Sequence, residues 1–396
     1  MPVSPIQFAK AIRLAGVDFA AGVPDSLLEG LSESLQEEFG SDHLVACNEG
    51  SAISIAVGSH LGSGNVPVVY MQNSGIGNAV NPLVSLAHEK VWGIPILLII
   101  GWRGEISDDD VQIADEPQHS KQGYITLPLL KSLDIDYLVC DKSTRNVNEL
   151  AFKMVEAAKE NAKPVALVCR KGFFVRDRAA IASEPSKRPT ITRAEVLTAF
   201  IDGLPDDTIN VATTGYTSRE LFELRSGRGK SSSADLLVIG GMGHASAIAY
   251  GIARKAPSRR VVCFDGDGAL LMHMGGMLHA AKAKNLVHVL FNNGVHDSVG
   301  GIWTDAKDIS FSSLASAAGY NRVATVESLH GLFSVIQEAA SFEGSFFIEV
   351  KCSPSYPSSA GRPNRAPRHN KEDVMLDLVG HRPSIRGKSA HSLLES

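Results

Sequence analysis

Short runs of aliphatic and β-branched residues alternate along this chain with longer stretches in which apolar and polar positions mix. Apolar runs separated by segments of helical length are typical of parallel sheets flanked by helices. The alternation occurs twice, on either side of a polar segment rich in Arg, Lys, Ser and Pro. The pattern therefore predicts an α/β fold with two domains, each a parallel sheet flanked by helices.

The apolar runs give ten predicted strands and a set of domain boundaries. The first-half strands are residues 17–21, 44–47, 66–71, 95–100 and 164–169. The second-half strands are residues 208–212, 236–239, 260–264, 287–291 and 346–350. We predict domains at 1–175 and 191–365, with a linker at 176–190. Residues 366–396 are predicted to be an extended C-terminal arm that frays after about residue 380.

Composition excludes several classes of protein. The chain has 396 residues, 44% hydrophobic and 20% charged, and a net charge of -5, so no broad basic surface favours nucleic acid. The longest apolar run, residues 94–100, is too short to cross a bilayer, so we expect no membrane partner and a cytoplasmic location. The five cysteines form no CxxC pair, which favours buried thiols over zinc or disulfides. Small molecules remain the expected partners.

A Gly-Asp-Gly triplet follows one predicted strand, and Asn292-Asn293 ends the next. In a βαβ unit both strand ends lie at the carboxyl edge of the sheet, so Asp267 and Asn293 should converge there. Their side-chain oxygens and a backbone carbonyl nearby, at Val295, are hard ligands suited to Mg²⁺. Gly266 and Gly268 would let the backbone approach a bound diphosphate. Alone, the triplet is equally compatible with a simple turn.

The triplet, 23 intervening residues and the Asn pair resemble the cofactor motif of thiamin-diphosphate enzymes. That resemblance implies a glutamate in a separate pyrimidine-binding domain, and Glu49 follows a predicted strand. In such enzymes this carboxyl group contacts N1′ of the aminopyrimidine and favours its imino tautomer, and a partly desolvated carboxyl group suits that role. The alternative for Glu49 is a solvated carboxylate at a helix N-terminus.

The segment Gly240-Gly241-Met242-Gly243 follows another predicted strand. By the same resemblance, Met242 would wedge between the two cofactor rings, and the Gly240 carbonyl would face the pyrimidine amine. A core methionine in a tight turn is the alternative.

Three further segments, residues 22–27, 115–123 and 293–301, resemble the phosphonopyruvate decarboxylase family, and the likeness extends over about residues 8–375. The resemblance implies two thiamin-diphosphate-binding-type domains with no middle domain, and an active site between the subunits of at least a homodimer. It also implies thiamin-diphosphate- and Mg²⁺-dependent decarboxylation of a small anionic 2-oxo acid. The expected reaction converts 3-phosphonopyruvate to phosphonoacetaldehyde and CO₂, with the cofactor as electron sink.

Polar residues in these segments are candidates for catalysis and substrate binding. The catalytic candidates besides Glu49 are Asp25, His119 and His296. The substrate-binding candidates are Asp25, Ser26, Arg103, Lys121 and Ser298. For three of these candidates a role outside catalysis and substrate binding stays open: Arg103 as a surface cation, Lys121 as a solvated loop residue, and His296 as a structural hydrogen-bond donor.

Ile302, Trp303 and Tyr216 depart from the pattern expected of that family, and these departures bear on substrate identity. Sulfopyruvate decarboxylase, or a decarboxylase of another 2-oxo acid, is the nearest rival. A nucleotide-binding oxidoreductase would need a GxGxxG turn after a strand, and residues 240–243 lack that spacing. A non-catalytic subunit is disfavoured because Glu49 and the metal motif occur together.

Overall fold

The computed structural model describes residues 2–28, 30–175, 191–228, 234–299, 301–355, 361, 363 and 366–380. These residues form two parallel sheets of six strands, one in each half of the chain. The predicted linker, 176–190, and the tail beyond residue 380 lie outside the described residues, and the predicted domain boundaries stay predictions.

The first sheet has the strand order β2-β1-β3-β4-β6-β5. Its strands are β1 (Val17–Gly22), β2 (His43–Val45), β3 (Val66–Gln72), β4 (Leu97–Gly101), β5 (Asp136–Cys140) and β6 (Val165–Cys169). Its helices are α1 (Pro5–Leu14), α2 (Leu31–Phe39), α3 (Glu49–Ser63), α4 (Ile76–Pro82), α5 (Pro117–Ser132) and α6 (Val147–Asn161).

The second sheet has the order β13-β14-β10-β9-β7-β8. Its strands are β7 (Ile209–Ala212), β8 (Asp235–Leu237), β9 (Val261–Gly266), β10 (Leu286–Asn292), β13 (Arg322–Val326) and β14 (Phe346–Lys351), and a separate hairpin pairs β11 (Val295–His296) with β12 (Ile302–Trp303). Its helices are α7 (Arg193–Gly203), α8 (Tyr216–Gly227), α9 (Ala245–Lys255), α10 (Asp267–Met272), α11 (Met277–Ala280), α12 (Phe311–Ala318), α13 (Leu329–Ser341) and α14 (Pro367–Val379). Apart from the hairpin, the second sheet repeats the strand order and connectivity of the first.

The central strands are buried on both faces, which explains their continuous apolar sequences. Every residue of β4 and of β10 is buried. Each sheet separates two apolar clusters, one under the helices on each face. Parallel strands with both faces covered have this composition. The predicted α/β fold with two parallel sheets is confirmed.

All ten predicted strands are present, but the prediction missed the strand at the same edge of each sheet. These strands, β5 and β13, share one burial pattern, in which only the last residue is buried. An edge strand covered on one side carries polar residues and lacks the apolar run on which the prediction relied. The segment between β9 and β10 is not one continuous helix, because the chain breaks between α10 and α11 around Gly275 and Gly276.

The C-terminal arm was predicted to be extended, but it contains helix α14. Helix α14 packs on β8 through Asn370, whose Nδ2 donates to the Asp235 carbonyl at 2.7 Å and whose Oδ1 accepts from the Leu237 N–H at 3.0 Å. Asn370 thus pairs with the edge of the second sheet as a neighbouring strand would. No helix among the described residues is long and apolar enough to cross a membrane.

Candidate active site

Asp267 and Asn293 come together at the carboxyl edge of the second sheet. Strands β9 and β10 are neighbours, with Phe291 opposite Gly266, so the residues that follow each strand are adjacent. Asp267 Oδ2 accepts hydrogen bonds from the backbone N–H groups of Asn293 at 3.1 Å and Gly294 at 2.6 Å. The turn after β10 therefore wraps around the carboxylate at the start of α10.

The Asp267 carboxylate is a suitable ligand for a divalent cation. Its side chain is buried, and burial raises its pKa to about 7, against the lowering effect of the N–H groups of Gly294, Gly268 and Asn293. No Lys, Arg or His side chain within the described ranges forms an ion pair with it. A buried carboxylate without a cationic partner is stabilised when a metal ion binds beside it. With the amide oxygen of Asn293 and the backbone of Val295 it offers hard oxygen donors that fit Mg²⁺.

The β11–β12 hairpin follows directly after this turn and carries Ile302 and Trp303, two of the three residues that depart from the pattern expected of the family. Trp303 pairs with Val295 across the hairpin, and Ile302 pairs with His296. The Trp303 ring lies 3.9 Å from the position that a β carbon on Gly294 would occupy, and the residue is 50% exposed. Trp303 therefore packs beside the candidate metal site while part of its ring faces solvent.

His296 packs directly on Gly268. A β carbon on Gly268 would lie 2.5 Å from His296 Cε1 and 2.7 Å from Nδ1, so only glycine fits beneath the imidazole. Burial lowers the pKa of His296 to about 4, so the ring is neutral at physiological pH. A neutral imidazole at this position can accept or donate a hydrogen bond but supplies no positive charge.

Met242 lies in a turn that is pressed against α10. Gly243 has a φ of +89°, and a β carbon there would lie 2.8 Å from the Ala269 carbonyl oxygen. Glycine is therefore required both by the backbone conformation and by the close approach. The turn holds Met242, which is half-buried, at the start of α9 and near the Asp267 segment.

Glu49 is the first residue of α3, and Asn48 caps that helix by accepting from the Ser51 N–H at 2.9 Å. The Glu49 side chain is buried, and its Oε2 accepts from Asn78 Nδ2 at 2.8 Å. A β carbon on Gly75 would lie 2.4 Å from Glu49 Oε1. The carboxyl group is thus held in a fixed position by α4 and by the glycine that precedes it.

The two halves of the chain meet at these segments. Asn48 Nδ2 donates to the carbonyl of Met272, the last residue of α10, at 3.2 Å. The Gly240 backbone approaches Gln118 of the first half, because a β carbon at position 240 would lie 3.3 Å from Gln118 Cβ. The residues beside Glu49 therefore lie against the segments that carry Asp267 and Met242.

A cavity of about 370 Å³ extends from this junction. Glu116 and Gln118 line it from the first half, and Thr214 and Ser218 line it from the loop after β7 and from α8. Its volume suits a small ligand.

Asp25 and Arg103 form a second polar group, at the carboxyl edge of the first sheet. Burial raises the pKa of Asp25 to about 6, although the Leu27 N–H and the Arg103 charge oppose this shift. Asp25 Oδ1 has no hydrogen-bond partner among the described residues. Arg103 donates two hydrogen bonds to Asp115, at 2.8 and 2.6 Å, and one to Ser26 Oγ at 3.1 Å. The guanidinium is therefore largely engaged by Asp115 instead of being a free cation.

The remaining candidates lie in different surroundings. His119 is buried on α5, whereas Lys121 is exposed on the same helix with its Nζ 5.2 Å from the centre of the Tyr124 ring. Ser298 is exposed, and its side chain lies 3.7 Å from where a β carbon on Gly215 would be. The structure brings Ser298 to the loop after β7 but leaves Lys121 on an exposed surface.

Three residues that contact the candidates, and Arg193, which contacts one of those three, were not selected from the sequence. Asp115 and Asp297 lie inside the segments that carried the family resemblance, but nothing in the sequence indicated that they hold Arg103 and Asn293. Asn78 and Arg193 gave no signal at all, because their partners are distant in the chain.

The chain is similar in sequence to known proteins over most of its length. Residues 7–125 match the thiamine pyrophosphate enzyme N-terminal TPP binding domain, and residues 214–350 match the C-terminal TPP binding domain of these enzymes. The chain is 32% identical to the phosphonopyruvate decarboxylase of Streptomyces viridochromogenes, over 89% of this chain and 89% of that protein. It is 32% identical to that of Streptomyces hygroscopicus, over 89% and 88%. It is 26% identical to the sulfopyruvate decarboxylase of Methanosarcina acetivorans, over 92% and 95%.

The fold and these matches define a thiamin-diphosphate-dependent enzyme with its two cofactor-binding domains in one chain. The chain belongs to the phosphonopyruvate decarboxylase family, and it is a carboxy-lyase. The resemblance seen in the sequence is thereby confirmed.

Proposed function

We propose that this enzyme decarboxylates 3-phosphonopyruvate to phosphonoacetaldehyde and CO₂, with thiamin diphosphate and Mg²⁺. The observation that carries the proposal is the junction at which buried Glu49 and the Asp267–Asn293 turn lie on segments in contact. The similarity to phosphonopyruvate decarboxylases over most of the chain supports the choice of substrate.

In this proposal Asp267, Asn293 and the Val295 carbonyl would hold Mg²⁺, which would supply positive charge for the cofactor's diphosphate. The bound thiamin ring supplies the electron sink for the departing CO₂. Glu49 holds the aminopyrimidine through N1′, and the hydrogen bond from Asn78 keeps the carboxyl group oriented. Met242 would contact the bound cofactor from its turn beside α10.

Proton transfer and hydrogen bonding are assigned to three polar groups, and burial shifts the pKa of two of them, Asp25 and His296. Asp25, with a pKa raised to about 6 by burial, exchanges a proton near neutral pH and suits a general acid or base. His296 is neutral and close to the GDG turn, where it can hydrogen-bond a reacting oxygen. We assign His119, which is buried on α5, the same class of role.

The substrate's anionic end needs hydrogen-bond donors and cations. Ser26 and Arg103 lie beside Asp25, and Ser298 lies at the loop after β7, so we propose contacts from all three. Because Asp115 already neutralises much of the Arg103 charge, phosphonate recognition would depend on displacing or sharing that pair. Lys121 would have to move from its place over Tyr124 to take part.

Sulfopyruvate is the second candidate, since a sulfopyruvate decarboxylase is similar over 92% of this chain. Its sulfonate carries one negative charge, whereas a phosphonate can carry two near neutral pH, so a site with one partly neutralised arginine suits either anion. We also propose at least a homodimer; the family resemblance implies an active site between subunits, whereas the junction on which this proposal rests joins the two halves of one chain.

The test supplies the purified protein with thiamin diphosphate and Mg²⁺ and compares CO₂ release from 3-phosphonopyruvate, sulfopyruvate and pyruvate. We expect the highest kcat/KM for 3-phosphonopyruvate. Faster turnover of sulfopyruvate or pyruvate would replace the proposed substrate. Full activity in Glu49→Gln would contradict the proposed cofactor activation.

A further inference from the structure

A buried network of charged side chains lies directly behind the candidate metal ligand Asn293. It consists of Arg193, Glu220 and Asp297, and their side chains are 5%, 6% and 6% exposed. Arg193 Nε donates to Glu220 Oε2 at 2.7 Å, and its Nη1 donates to Asp297 Oδ2 at 2.9 Å. Arg193 Nη2 also donates to the Ser355 carbonyl at 3.2 Å. We call these three charged residues the support network.

The support network meets the metal site at a single oxygen atom. Asp297 Oδ2, which accepts from Arg193, also accepts from Asn293 Nδ2 at 2.7 Å. A carboxylate accepts only from the NH₂ side of an amide, so this bond fixes which end of the Asn293 side chain faces Asp297. The amide oxygen is turned away from the support network and accepts from the Val295 N–H at 3.0 Å.

This orientation is the one that a cation requires. An asparagine amide rotated by half a turn would present its NH₂ group, which cannot bind a metal ion. Asp267 lies next to the same turn, with Oδ2 accepting from the Asn293 N–H. With the amide held by Asp297, the oxygen of Asn293 is available on the side where Asp267 and Val295 lie.

The start of α7 does not require the support network. Arg193 is the first residue of α7, but Thr192 and Glu195 already cap that helix. Buried ion pairs of this kind are often no more stabilising than apolar residues of similar size, because desolvation offsets their attraction. Hydrogen-bonding partners behind metal ligands are a known use of such groups, and losing one typically weakens metal binding by about 10- to 100-fold.

We propose that Asp297, held in place by Arg193, is a positioning residue that orients the Asn293 amide and so sets the affinity for the divalent cation. This inference rests on the cation site assigned under the proposed function. Glu220 takes part indirectly, because it fixes the Arg193 guanidinium from the opposite side.

The chain offers a closely matched control. Asp235 accepts from Arg225 Nε at 2.9 Å and from Asn210 Nδ2 at 2.7 Å, and both charged side chains are buried. This second group has the same arginine–carboxylate–amide chemistry, but it lies on β7, β8 and α8, and its asparagine is not a candidate ligand. Asp235→Asn therefore tests the loss of a buried carboxylate without touching the metal site.

The experiment measures Mn²⁺ binding to the metal-free protein by electron paramagnetic resonance, with thiamin diphosphate present, alongside unfolding in urea. Asp297→Asn is expected to raise the Mn²⁺ dissociation constant about 10- to 100-fold. Asp235→Asn should leave it within about threefold, although both variants lower the urea midpoint. Arg193→Lys keeps the positive charge but loses the planar guanidinium that donates to Glu220 and Asp297 at the same time. It should therefore weaken Mn²⁺ binding by more than about threefold.

Wild-type Mn²⁺ affinity in both Asp297→Asn and Arg193→Lys would overturn the inference. If Asp297→Asn does not fold, Arg193→Lys decides alone. The variant Asp267→Asn, which removes a proposed metal ligand, distinguishes failure of this inference from failure of the proposed function. If the wild type binds Mn²⁺ no better than Asp267→Asn, the cation site itself is wrong, and the inference falls with it.

Discussion

The most direct structural prediction concerns Gly75, which precedes α4 and lies against Glu49. A β carbon at this position would lie 2.4 Å from Oε1, 2.5 Å from Cγ and 2.6 Å from Cδ of Glu49. The backbone there has φ -72° and ψ -17°, which alanine adopts without strain. Gly75→Ala therefore acts through the position of the carboxyl group and leaves the local backbone unstrained.

The expected size of the effect follows from these distances. Restoring ordinary carbon contacts requires the Glu49 carboxyl group to move by about 1 Å, and a misplacement of this size costs roughly 100-fold in rate, or about 2.7 kcal/mol. The hydrogen bond from Asn78, now 2.8 Å, would lengthen or break in the same movement. We expect kcat/KM for CO₂ release to fall roughly 100-fold with saturating thiamin diphosphate.

Gly77→Ala is the matched control, because Gly77 lies two residues further along in α4 and has open space where its β carbon would be. Its activity should stay within about twofold of wild type. Circular dichroism and the urea midpoint establish that both variants are folded. Equal activity in the two variants would refute the placement of Glu49 or its catalytic role.

Three further predictions follow from burial and close contacts. The pKa of Asp25 is raised to about 6, so between about pH 4 and 6 the folded protein holds a proton that the unfolded chain has released, and the free energy of unfolding falls as pH rises through 6. Relative to wild type, Asp25→Asn should therefore gain up to roughly 3 kcal/mol of stability as pH rises from about 4 to 8. A difference in urea unfolding that does not change with pH would contradict this. Asn370→Ala removes two bonds to β8 and should cost about 1–3 kcal/mol in urea unfolding, whereas exposed His369→Ala should cost almost nothing; equal costs would refute the role of Asn370. Gly268→Ala should displace His296 and lower kcat, and unchanged kcat would refute the close packing.

The central strands could be predicted from the sequence because burial on both faces leaves a continuous apolar run. The edge strands β5 and β13 could not, since most of their residues are at least partly exposed. Helix α14 was missed for a similar reason: it buries only Asn370 and Val374, so its apolar face is too narrow to give a helical period.

The candidate site also combines contacts that can be predicted from the sequence with contacts that cannot. The convergence of Asp267 and Asn293 follows from adjacent strand ends within one βαβ unit, which a sequence can reveal. The bond between Arg193 and Asp297 joins residues 104 positions apart, and that of Asn78 with Glu49 spans 29. Such contacts depend on how helices pack, and a single sequence carries no pattern for them.

Phosphorus nuclear magnetic resonance tests the central claim most directly. Protein freed of cofactor by dialysis against a chelator is incubated with 3-phosphonopyruvate, and thiamin diphosphate and Mg²⁺ are added separately and together. The account predicts that the phosphonoacetaldehyde signal grows only when both are present, and not in Asp267→Asn. Product formed without either addition, or no product when both are present, would contradict the assignment.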